Sequence, residues 1–445
     1  MNISAPRPAL DQNDIGREMY HLITELYPIC RSITGNGVRE TLRIIEKEIP
    51  LEIHNVPTGT QVFDWTVPRE WNITDAYVKN SRGERVIDFQ TSNLHVVNYS
   101  VPVKKRMSLA ELRPHLFTLP DFPNWIPYRN SYYRETWGFC LSHKQLSQLT
   151  EDSYEVCIDA SLEDGAVTYG EYYIPGQVSE EILLSCHVCH PSLCNDNLSG
   201  IALIALLAKY LGSLSLRYSH RFLFIPTTIG AITWLSRNQD NVFRIKHGLV
   251  AACVGDPGKS TYKKSRRSNA EIDRVIGHVL KHSGADYEIL DFSPHGYDER
   301  QFCSPGFNLP MGCLMRTPNG KFTEYHTSAD NLEFVQPPYL ADSFSKFWSA
   351  LYILENNRCY LNQNPKCEPH LGKRGLYRQF GDPADGGIDV LAVLWVLNLS
   401  DGHHTLLDIA DRSGFEFDSI KKASDVLVEH GLLRETKGAL PEVSR

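Results

Sequence analysis

Two kinds of hydrophobic spacing alternate along this chain, and their order predicts its architecture. In GREMYHLITELYPIC, Met19, Leu22, Ile23 and Leu26 recur as they would on one face of a helix, and RETLRIIEKEI repeats the pattern after the turn at Gly35 to Gly37. Pro50 closes this helical pair. The next hundred residues change to short alternating runs (AYVKN, NLHVVNY, YEVCIDA) between prolines and Asn/Gly turns, the pattern of strands. Trp65, Trp71, Tyr77, Tyr99, Trp125, Tyr128, Tyr132, Tyr133 and Trp137 crowd this stretch. It reads as a β-rich module inserted into a larger domain, with most of its aromatics forming core.

From about residue 166 strands and helices take turns. EILLSCH, RFLFIPT and GLVAACVGD read as buried strands, and NDNLSGIALIALLAKYL, GAITWLSRN and AEIDRVIGHVLKHSG as the helices between them. That alternation predicts an α/β fold, a mostly parallel mixed sheet with helices on both faces, whose ligand site lies at the carboxyl ends of the strands. After the loop NQNPKCEPHLGKRG come three helical segments: LAVLWVLNL, LLDIADRSG and SIKKASDVLVEHGLLRE. Their order resembles a winged helix. The expected organisation is residues 1–62 with 150–373 as the main domain, 63–149 as the insertion and 376–445 as the winged helix.

Composition narrows the function. A chain of 445 residues with 42% hydrophobic and 22% charged residues has the make-up of a folded, multi-domain globular protein. A formal net charge of -8 argues against a general nucleic-acid binder. The tail from Leu376 carries 7 Lys plus Arg against 12 Asp plus Glu, so 7 - 12 = -5, and only Lys421 and Lys422 stand near the recognition-helix position. Docking to a protein partner or within a homo-oligomer is therefore expected of the winged helix rather than phosphate binding. The 11 cysteines are scattered, apart from Cys186, Cys189 and Cys194, and no signal peptide or span of ~20 apolar residues is visible. Reduced thiols in a cytoplasmic protein are expected.

Three strand ends offer groups that zinc accepts: His187 after EILLSC, Asp196 in NDN, and Asp256 after GLVAACVG, with His326 in EYHTSADN as a fourth. Each alone is ordinary, since Asp before a helix is often a cap and Asp before Pro257-Gly258 often starts a turn. Cys186, Cys189, His190 and Cys194 could form a thiolate site, but no second CxxC pair accompanies them, and buried thiols are the simpler reading.

Taken in order, these segments resemble the bacterial zinc aminopeptidases. HVCHPSLCNDNLSG is similar to that family's His ligand and Asp-Asn-x-Ser-Gly helix start. Tyr297-Asp298 with Phe302 and GFNLP is similar to its Ser-Asp-His and Gly-Ile-Pro segment, and YHTSADN to its Tyr-His-Thr-x-x-Asp close. A narrower likeness, nearly end to end, is to aminopeptidase-like proteins with an inserted β-domain and a winged-helix tail. The resemblance implies His187, Asp196 and Asp256 around one zinc, with Asp196 bridging to a second held by His326. It implies Asp298, Tyr325 and Asp330 as supporting or substrate-side groups, and places the basic loop of Lys264 and Arg266 beside the site.

The function this resemblance implies is that of a zinc-dependent, aminopeptidase-like hydrolase, in which metal-activated water attacks the carbonyl of a peptide or other amide-bearing small molecule. Two departures bear on this. The family's His-x-Asp is His187-Val188-Cys189 here, and its catalytic Glu is Thr227 in Pro226-Thr227-Thr228-Ile229-Gly230. Threonine is no general base near neutral pH. Glu299 and Glu324 are the nearby carboxylates that could take over, and the alternative expectation is a metal-binding pseudo-enzyme that recognises its ligand without turnover.

Overall fold

The computed structural model describes residue 3, residues 11–376 and residues 387–436; the outer ends of the expected first and last segments lie outside these. The chain divides into two compact units, Leu10–Asp273 with Asp286–Ser345, and Met1–Ala9 with Arg274–Ala285 and Lys346–Arg445.

The first unit is built on eight strands: β1 (Glu52–Pro57), β2 (Ala166–Ile174), β3 (Glu181–His187), β4 (Ser219–Ile225), β5 (Ile245–Ala251), β6 (Ser260–Lys263), β7 (Tyr287–Leu290) and β8 (Met311–Met315). Their order across the sheet is β1-β2-β4-β3-β5-β8-β6-β7. The centre, β4-β3-β5-β8, is parallel. Antiparallel pairs flank it, β1 with β2, β2 with β4, and β6 with β8. Strand β3 is buried at every residue, which is why its sequence EILLSCH is a continuous run without alternation. Among the described helices of this unit, α1 (Gln12–Leu26), α2 (Asn36–Glu46) and α3 (Ser199–Leu211) matter most for the site. Helix α3 follows β3 and is apolar almost all round, as a helix packed on several sides must be.

Four antiparallel strands form a second sheet in the order Arg85–Asp88, Glu70–Lys79, Ser153–Glu163, Val103–Ser108. Ser153–Glu163 lies beyond the 63–149 segment, yet pairs with Glu70–Lys79 along its length before the chain enters β2. Ala76, Val78, Ile87, Phe139, Val156 and Ile158 form the core of this sheet.

In the second unit, strand Cys359–Asn362 lies between Asp401–Thr405 and Leu433–Glu435, so the winged-helix sheet begins ahead of residue 376. Helices Val390–Leu399, Leu406–Ser413 and Phe417–Glu429 complete it. Thr405 closes a capping box with Asp408, and Gly414 ends the helix with φ at +78°. Arg274 reaches Asp408 and Asp411 at 2.8 and 2.9 Å, and His278 holds Asp411 at 2.9 Å. Lys421 and Lys422 are each paired with an aspartate of their own helix, Asp425 at 2.6 Å and Asp418 at 2.8 Å.

Helix α2 is tied to the inserted sheet by one carboxylate. Glu70 accepts from both ends of the Arg39 guanidinium, from Asn72 Nδ2 at 2.9 Å and from the Ala166 N–H at 3.0 Å. The Arg39 bond, outweighing burial, holds its carboxyl at about 2. A carboxyl depressed by folding stabilises above its unfolded value, near 4.3, and that stability is lost as pH falls towards 2. Arg39→Ala is expected to cost about 2 kcal/mol at pH 7. In denaturant titrations the gap between variant and parent should narrow steadily between pH 5 and pH 2.

Candidate metal centre

The carboxyl end of β3 supplies His187, the turn after it supplies His190, and the loop leading to α3 supplies Asp196. The Asp196 carboxylate is fully buried. His187 Nε2 lies 2.9 Å from its Oδ1, while His326 Nε2 lies 3.0 Å and His190 Nε2 4.0 Å from its Oδ2. Burial opposes the negative charge, but the His190, His187 and His326 rings facing it outweigh burial and hold Asp196 well below the usual carboxylate range. Burial pushes His190 down to about 3, so its ring is neutral. An ionised Asp196 beside a neutral His190 is the protonation state a zinc ion requires of those two ligands.

The loop carrying Asp196 is held by groups buried beneath it. Asp330 accepts the N–H groups of Asn195 at 2.6 Å and Asp196 at 2.9 Å, one on each oxygen. Asn197 Nδ2 donates to the Ala251 carbonyl at 3.0 Å and lies 3.3 Å from His187 Nδ1, while its Oδ1 accepts from the Cys253 N–H. This contact meets the His187 ring on the nitrogen that faces away from Asp196. Burial raises Asp330 to about 8 despite the two backbone donors.

Aromatic rings wall the cluster. Tyr297 stacks on His187 with centroids 5.1 Å apart, Tyr325 stacks on His326 at 4.0 Å, and Tyr128 meets His326 edge-on at 5.0 Å. The Tyr128 N–H also donates to the His326 carbonyl at 2.7 Å, so the inserted segment contributes directly to the site. His326 itself has φ of +55°, the left-handed region that a non-glycine residue enters at a cost.

The remaining expected residues divide. Asp256 stays outside the ligand group, because Gly258 N–H and Thr317 Oγ1 donate to its Oδ1, and Asn195 Nδ2 and Thr317 N–H to its Oδ2. In this structure its carboxylate staples those loops together. Thr227 Oγ1 donates to Asp298 Oδ1 at 2.9 Å, and burial raises the Asp298 carboxyl to about 6. Glu299 is fully buried and ion-paired with Lys263, which takes it out of reach as a replacement base. Glu324 is half-buried in the His326 loop, where its carbonyl accepts from Thr327. Lys264 pairs with Asp291 at 3.0 Å and Arg266 with Asn308 at 3.1 Å. Cys186, Cys189 and Cys194 are buried, and the group of close ligand atoms found among the described residues includes none of them. His190 is the residue that sequence reasoning assigned no place in this centre. The signal for it was its spacing, three residues after His187 across a turn that ends in Asp196.

Among the described residues, His187, His190 and Asp196 offer ligand atoms all within 4.8 Å of one another. Two imidazoles and a carboxylate suit zinc, so the donor set fits the ion that the fold implies.

The fold is shared with a zinc aminopeptidase from Bacillus subtilis, which is 10% identical, with a TM-score of 0.57 over 76% of this chain and 95% of that one. Fold and site thus define an aminopeptidase-like domain, here joined to a winged helix. The chain belongs to the family described as a domain of unknown function, DUF4910, whose model matches residues 20–357; a winged helix-turn-helix model matches residues 358–435. A Clostridium acetobutylicum protein provisionally named a polysaccharide biosynthesis protein with an aminopeptidase-like domain is 58% identical over 95% of this chain and 98% of its own. A solved structure from the same organism, provisionally called a peptidase, is 57% identical with a TM-score of 0.91, covering 96% of this chain and 97% of its own.

Removing the loop's anchor gives a direct check on this geometry. Asp330→Ala leaves two buried N–H groups without acceptors and is expected to cost about 3 kcal/mol in denaturant unfolding. Asp330→Asn, which keeps one acceptor oxygen, should cost clearly less.

Proposed function

We propose that this chain is a zinc-dependent, aminopeptidase-like hydrolase that opens the amide bond of a peptide or another small amide-bearing substrate. The observation that carries the reading is the buried Asp196 carboxylate ringed by three imidazoles at the carboxyl ends of the parallel strands. Zinc bound there would polarise the substrate carbonyl and lower the pKa of a neighbouring water. The chain's own groups do the rest. Tyr128, Tyr297 and Tyr325 wall the ligands, excluding bulk water and limiting the approach of the substrate. Asp298, a carboxyl near 6 bonded to Thr227, is the group suited to accept a proton near neutral pH in place of the missing glutamate.

The relative named for polysaccharide biosynthesis supports an amide carried on a sugar as one substrate class to try first. The winged helix reads as a protein-docking module, because the two lysines of its second long helix are already paired with that helix's own aspartates. A cytoplasmic setting suits the many unpaired thiols.

Thr227 favours a second reading, a metal-binding module that holds an amide ligand without turning it over. The two are separated by assaying zinc-loaded protein on aminoacyl-anilides and N-acyl amino sugars. Under the first reading the parent hydrolyses one class, and Asp298→Asn lowers kcat about 100-fold or more with little change in KM. An inactive parent that gains activity from Thr227→Glu establishes the second.

A further inference from the structure

We propose that the metal centre is mononuclear, with His187, His190 and Asp196 as its protein ligands and His326 outside the coordination set. This rests on the metal-dependent reading above and specifies how that site is built.

The case begins with orientation. His190 turns Nε2 towards Asp196, and its Nδ1 lies 3.4 Å from Cys189 Sγ. A ligand imidazole needs a partner on its other nitrogen to fix its tautomer, and the sulfur is positioned to accept that N–H. The cysteine at 189, where the aminopeptidase motif has an aspartate, thus acquires a role beside a different histidine. The backbone of His190 is held as firmly as its ring. Arg31, fully buried in the first unit, donates from Nε to the His190 carbonyl at 2.8 Å and from Nη1 to the Leu26 carbonyl at 2.8 Å. A buried guanidinium spent on the carbonyl of one turn makes that turn rigid.

The second half of the case is what a second ion would lack. Its carboxylates would have to come from position 227, which is a threonine bonded to Asp298, or from Asp256, whose oxygens are filled by four donors. That leaves His326 and a shared oxygen of Asp196, too few ligands for a dizinc pair. His326 falls outside the group of ligand atoms that lie within 4.8 Å of one another, and its Nε2 is placed to donate to Asp196 Oδ2 instead. Two imidazoles and one carboxylate leave a coordination position open for water and substrate, the arrangement of hydrolytic zinc sites.

Cobalt(II) titrated into chelator-treated full-length protein tests this, followed by visible absorption and by elemental analysis after dialysis. One ion per chain is expected. His190→Gln should weaken binding about 100-fold or more, whereas His326→Gln should keep one ion per chain with a loss within about tenfold. Two ions per chain, or loss of the ion in His326→Gln but not in His190→Gln, overturns the proposal and leaves the metal-dependent reading standing. A parent that binds no ion sinks that reading itself. Should His190→Gln fail to fold, X-ray absorption on the cobalt-loaded parent decides: two imidazoles in the coordination shell support the assignment, and one or three refute it.

Discussion

A carboxylate removed from water costs several kcal/mol unless cations or donors surround it, and Asp196 is the point where this chain accepts that cost. Much of the architecture nearby answers to it. Strand β3 brings His187 to one oxygen, the His326 loop brings another imidazole to the other, and Asp330 takes up the backbone N–H groups of the loop between. The inserted segment joins in through Tyr128, whose ring and N–H both meet His326. Elements far apart in sequence therefore converge on one buried charge.

Where a property depends on neighbours in the chain, the sequence shows it. EILLSCH is buried on both faces, so its apolar run is unbroken and legible, and NDNLSGIALIALLAKYL shows its helix in the same way. The convergence of His187, Asp196 and His326 was legible because their local motifs survive. The winged-helix segments were legible from the order of their helical runs, and the structure adds the caps of one of them, Thr405 with Asp408 and Gly414. The antiparallel flanks of the sheet left less trace, since the direction of β2 depends on what lies beside it rather than on its own residues.

Long-range partners are what sequence leaves out. Asp256 looks like a ligand because it follows a buried strand, and only the arrival of Thr317 from the end of β8 shows that its oxygens are already engaged. Glu299 looks like a spare base until Lys263 is seen against it. His190 sits among cysteines, which draws attention to sulfur, although only its Nδ1 meets one and its Nε2 turns towards Asp196. Strand Ser153–Glu163 reads correctly as a strand, but its partner lies some eighty residues earlier, across the whole inserted segment.

The left-handed backbone at His326 has a consequence for anyone selecting improved versions of this protein. Glycine would adopt φ of +55° without the penalty that histidine carries, about 1 kcal/mol. A selection for thermal tolerance or expression yield alone would set that small gain against the larger cost of stripping a donor from the buried Asp196 carboxylate, and would keep the imidazole. Robustness and the buried charge pull in the same direction at this one residue, so the strained backbone is retained even by a library screened for stability alone.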